Sequence, residues 1–142
     1  VKLEVMNGGD HMAPSLAEIE DLARLALARI PDTLRRQLID VVIQVVDFPD
    51  DETMRQMDLR SPYDLLGMYH GINLQQKSIA LVPDDLDMIF LYRRPLLDYW
   101  IESGENLSDL VRHVLIHEIG HHFGFSDADM AAIEDLGDDS GI

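Results

Sequence analysis

A chain of 142 residues, 46% apolar and without cysteine, has room for one cored domain and excludes disulfides, thiol nucleophiles and cysteine-held metal. Its formal net charge of −16 repels nucleic-acid phosphates and anionic lipids at long range, so neither is expected as a partner. The acidic residues are dispersed, with small knots at Asp50-Asp51-Glu52, Asp84-Asp85 and Asp138-Asp139, the pattern of a solvated surface.

The opening segment, VKLEVMNGGDHM, is polar and Gly-containing, unlike the patterned chain from Pro14 onward. It is read as an expression remnant or a flexible arm over residues 1–12, followed by a single domain over 13–137 and a flexible acidic tail over 138–142. It has neither a basic n-region nor an apolar h-region, and no apolar run nears the ~20 residues that cross a bilayer. A cytoplasmic location is the expectation.

Pro14-Ser15-Leu16-Ala17-Glu18 reads as a helix start, with Ser15 and Glu18 at capping-box spacing. Leu16, Ile19, Leu22, Ala23, Ala26 and Ile30 follow at helical spacing, and Pro31 closes an amphipathic helix expected to pack on a sheet. Leu34 to Leu38 adds a short helical turn. Val41 to Val46 is apolar and β-branched, which predicts a strand ended by Phe48-Pro49-Asp50. A short acidic helix over Asp50 to Leu59 and a strand over Leu65 to Tyr69, ending at His70-Gly71, come next. Residues 72–87 are turn-rich, with a short strand at Ile79 to Val82. Met88 to Tyr92 predicts a further strand. Pro95 suits a helix start, and Leu96 to Ile101 completes one to two turns. Asn106 caps a long helix through Phe123, Gly124 fits its C-terminus, and Ser126 or Asp127 opens a last helix from Ala128 to Leu136.

The long helix carries the chemistry. Leu110, Val111, Val114, Leu115, Ile116, Ile119 and Phe123 cover most of its circumference, so it is expected to be buried. Buried imidazoles and carboxylates cost free energy unless they find partners. His117 to Asp127 reads H-E-x-x-H-x-x-G-x-x-D. Histidines four apart lie about 40° apart around a helix and roughly 6 Å apart along it, so His117 and His121 can reach one ion. Glu118 borders that face, where a carboxylate can take a proton from a metal-bound water.

Catalytic zinc takes three protein ligands and keeps a position for water. Gly124 lets the chain turn back, so Asp127 is the candidate third ligand; its rival role is helix N-cap. Asp129 and Glu134 are fallback ligands. His113 lies roughly 12 Å from His121 along the axis, too far to share an ion with ~2 Å bonds, and is expected to be packed or supporting. His122 points about 100° away from His121 and is expected to be structural or exposed. Tyr69, His70, Tyr92 and Arg93 are candidates to stabilise an oxyanion by residue type.

The 117–127 segment resembles the extended signature of the zincin metallopeptidases, with aspartate where many metzincins carry a third histidine, as in snapalysin-type peptidases. The leading helix, the Val41–Val46 strand, the MIFLYRRPLL segment from Met88 and the motif helix are more similar to the small bacterial minimal zincin-like metallopeptidases, over most of residues 15–136. The resemblance implies an α+β domain with a short, mostly antiparallel or mixed sheet flanked by helices and the HExxH helix beneath it. It also implies one zinc ion on His117, His121 and Asp127, with Glu118 as general base. No separate methionine turn is recognised; Met130 follows the motif too closely for that role. The expected function is zinc-dependent hydrolysis of an amide bond in a peptide or protein substrate. The alternatives are a non-catalytic zinc-binding or interaction domain that keeps the fold, and a metal-free structural domain.

Overall fold

The computed structural model describes residues 13–71 and 87–140. The opening arm and the strand expected at Ile79 to Val82 lie outside those residues. Six α-helices and a three-stranded sheet are seen among the described residues, an α+β arrangement. None of these helices is long and apolar enough to cross a membrane.

Helix α1 (Leu16–Ala28) begins at the Ser15–Glu18 capping box and buries Ile19, Ala23 and Ala26. It packs mainly on the motif helix and less on the sheet. A single turn, α2 (Asp32–Arg35), leads through a 3-10 turn at Arg36–Leu38 into β1 (Val42–Val46). Asp50 caps α3 (Asp51–Gln56) by accepting from the Thr53 N–H at 2.8 Å.

The sheet order is β1, β3, β2, where β2 is Gly67–His70 and β3 is Met88–Tyr92. β1 pairs in parallel with β3, from Val42 opposite Met88 to Val46 opposite Tyr92. β2 pairs antiparallel with β3, from Gly67 opposite Leu91 to His70 opposite Met88. The sheet is mixed, as expected, and β2 is an edge. Alternation along the strands sends Ile89 and Leu91, both fully buried, toward the helices. Gly67 and Tyr69, their register partners, share that face.

After β3 the chain turns directly into α4 (Arg93–Ser103). The sequence placed this start at Pro95 and the end at Ile101. A proline in the first turn loses no helical hydrogen bond, because first-turn N–H groups have no partner within the helix. The helix therefore starts two residues earlier, and Gly104, left-handed at φ 73°, stops it.

Helix α5 (Leu107–Phe123) is the centre of the molecule. Leu110, Val111, Leu115 and Ile119 join Ile19 and Ala23 of α1 and Ile89 and Leu91 of β3 in one apolar cluster. Each large side chain of that cluster contributes roughly 1.5–3 kcal/mol on burial. β2 lies close over α5 because Gly67 has no side chain. A Cβ there would stand 2.8 Å from Val114 Cγ1 and 3.0 Å from the Phe90 carbonyl.

Helix α6 (Asp127–Ser140) closes the opposite flank and runs past the expected end at Leu136. Met130 and Ile133 pack on Ile116. Met130 also sits against Gly120, where a Cβ would overlap its Sδ and lie 2.8 Å from its Cγ. Met130 thus packs against the motif at Gly120, carried by a helix.

Candidate metal centre and active site

Two caps define the helix that bears the motif. The Asn106 side chain accepts from the Asp109 N–H at 3.1 Å, and Gly124 adopts φ 73° at the other end. Both were legible in the sequence, as was the burial between them.

Glu118 lies on the sheet-facing side and is only 8% exposed. Its carboxylate accepts the backbone N–H of Tyr69 on β2. His121 Nδ1 lies 3.3 Å from Glu118 Oε1. Burial pushes the Glu118 carboxyl above its ordinary value, while the His121 charge and the Tyr69 N–H pull it back. Glu118 and His121 form one wall of a cleft of about 620 Å³ whose other walls include Gly67 to Gly71, Gln56 and Met57. That volume is within the range of small-molecule and peptide sites.

His117 turns toward the other flank. Its ring lies 4.4 Å from that of His113, and it is half-buried. Burial lowers its proton affinity, helped by the charges of His113 and His121 and opposed by Glu134 and Asp127. A neutral imidazole is the ligating form.

Asp127 is exposed and is the first residue of α6, near enough for its charge to act on His117. It is not the cap. Ser126 Oγ accepts from the Asp129 N–H at 3.1 Å, and Asp129 Oδ2 accepts from the Ser126 N–H at 3.2 Å. Asp129 is thereby committed to a capping box. Glu134, the other fallback ligand, meets His113 at 2.6 Å. Among the described residues, three donor atoms lie within 4.8 Å of one another at His113, His117 and Glu134. His121 is engaged with Glu118, and Asp127 sits at the head of α6 with its charge acting on His117. The donor types of His117, His121 and Asp127, two imidazoles and a carboxylate, suit zinc.

The supporting residues divide between the two flanks of α5. Of the two roles expected for His113 the supporting one fits: it lies against the His117 ring, 53% exposed, on the side of α5 where Glu134 of α6 meets it. His122 is buried, with Nδ1 3.4 Å from Asp87 Oδ2 and both side chains 1% exposed. The Tyr69 hydroxyl donates to Asp87 Oδ1 at 3.1 Å and lies 3.4 Å from His122 Nδ1. Asp87 was not anticipated; its one signal is an acid placed immediately before an apolar strand. Burial, and then the Asp87 carboxylate, push the Tyr69 phenol well above its ordinary value.

Of the oxyanion candidates, Tyr69 and His70 line the cleft. Tyr92 is buried and faces a different hollow beside Phe48 and Thr53. Arg93 is used structurally: it donates to the Pro14 carbonyl at 2.6 Å and to Asp47 Oδ1 at 3.0 Å.

No curated protein matches the chain. A family model described as zincin-like metallopeptidase matches residues 38–136, from the turn before β1 through the motif helix into α6. Zinc is the cofactor that this family implies. With the α+β frame, the buried H-E-x-x-H helix and a match over more than half its length, the chain belongs to the zincin-like metallopeptidases.

Proposed function

We propose that the chain is a zinc-dependent peptidase that hydrolyses an amide bond in the cleft between β2 and α5. The observation that carries this reading is Glu118: a buried carboxylate on the cleft wall, beside a motif histidine, with its proton affinity raised by burial. His117, His121 and Asp127 would hold the ion. When bound, zinc supplies a Lewis acid that polarises the scissile carbonyl and acidifies water.

The chain's own groups supply the rest. Glu118 takes the proton of the attacking water on its carboxylate and returns it to the leaving amine. Its raised proton affinity makes it a stronger base than an exposed glutamate. The Tyr69 N–H fixes one carboxylate lone pair and so orients the other toward the cleft. β2 offers a backbone edge for an extended peptide. Tyr92 N donates to the Leu66 carbonyl, so Leu66, Met68 and His70 point their backbone groups at β3, and Gly67 and Tyr69 point theirs outward. His70 stands at the end of this edge and can donate to the oxyanion.

Substituting Glu118→Gln keeps the shape and removes the base. The variant is expected to bind zinc with unchanged stoichiometry while turnover on a mixed peptide library falls by ~10²–10⁴-fold. Undiminished cleavage would reject the role. Retained zinc with no Glu118-dependent cleavage of any peptide would leave a zinc-binding domain.

A further inference from the structure

His113, His117 and His121 recur at every fourth residue, so His117 has a histidine neighbour one turn away on either side. The pair His117–His121 belongs to the motif. The pair His113–His117 has its rings 4.4 Å apart and is met by Glu134 from α6. Donor atoms of these three residues lie within 4.8 Å of one another. Around a tetrahedral ion with ~2.1 Å bonds, donors sit roughly 3.4 Å apart, so side-chain rotations alone close the set.

We propose that His113, His117 and Glu134 form a second divalent-cation site, which shares His117 with the motif and therefore competes with it for the ion. The competition rests on the motif reading above; the site does not. Two imidazoles and a carboxylate from two helices are a donor set for zinc, cobalt or nickel rather than for calcium or magnesium. The frame is firm, because α6 is fixed to α5 by Met130 and Ile133 packing on Ile116. His113 and Glu134 line a cleft of about 510 Å³ together with Glu105 and Asp109, whose charges outnumber that of Arg112. A bound cation takes the place of the direct His113–Glu134 contact at 2.6 Å. With His117 so engaged, the motif retains His121 and Asp127 alone, and the ion-dependent chemistry of the main cleft stops.

The test is calorimetric and optical titration of the metal-free full chain with cobalt chloride. The double variant H121A/D127A lacks the motif's other donors. It is expected to bind one cobalt ion, with the visible absorption of a nitrogen- and oxygen-ligated site. Adding Glu134→Gln, or separately His113→Gln, is expected to weaken that binding at least ~10-fold. Both positions are partly exposed, and circular dichroism verifies the fold of each variant. A double variant that binds no cobalt, or binds it equally well after both further substitutions, overturns the site. Two ions bound at once by the wild-type chain overturn the competition. Loss of Glu118-dependent hydrolysis leaves the site standing, so the two readings fail separately.

Discussion

Two histidine–carboxylate pairs flank the motif helix, and they behave oppositely. His122 and Asp87, 3.4 Å apart, are sealed at 1% exposure between α5 and the sheet, with the Tyr69 hydroxyl beside them. His113 and Glu134 are closer, at 2.6 Å, yet 53% and 24% exposed on the α6 side. Distance alone would rank the second pair stronger. Burial reverses the order, because a group removed from water loses far more when its partner is taken away. The sheet flank is therefore built for rigidity and holds Glu118. The α6 flank holds a pair open to solvent.

The sharpest way to break that comparison is to remove one histidine from each pair. His122→Ala is expected to cost about 3–5 kcal/mol in urea denaturation, since Asp87 stays buried. His113→Ala is expected to cost at most ~1 kcal/mol, as solvent screens the exposed pair. Equal losses would mean that the flanks do not differ.

Glycines sharpen it further. Gly67→Ala sets a Cβ against Val114 and the Phe90 backbone, which cannot move aside; a loss of about 1–3 kcal/mol is expected. Gly120→Ala meets Met130 first, an unbranched side chain that can shift, and gains up to ~1 kcal/mol of helix propensity. Its midpoint should shift by less than that of Gly67→Ala. The reverse order would place the yielding flank at the sheet.

The smallest effect is a pH slope. Burial and the Asp50 carboxylate raise the Tyr92 phenol to about 12. A raised folded value favours the native state below the unfolded value of about 10 and loses that support as pH climbs toward 12. Tyr92→Phe should therefore show a shallower fall in Tm between pH 10 and 12 than the wild-type chain. An identical slope in the two proteins would count against the shift.

The features legible in the sequence are the local ones. Caps at Ser15 and Asn106, the stop at Gly124 and the β-branched run before Phe48 act through neighbours in the chain, and each stands where expected. The H-E-x-x-H spacing was visible for the same reason. The fates of His113 and His122 were not legible, because they depend on which flank receives α6 and which receives β2. Asp87 was missed on the same ground: its partner Tyr69 is eighteen residues away. The start of α4 went wrong on a local rule applied too strictly, since proline is tolerated throughout a first turn.

The Tyr69 amide has a divided allegiance. It points outward from an edge strand, toward the place an extended substrate would occupy, and in the structure it serves the Glu118 carboxylate. On the function proposed above, an extended substrate and the Glu118 carboxylate would compete for this one donor.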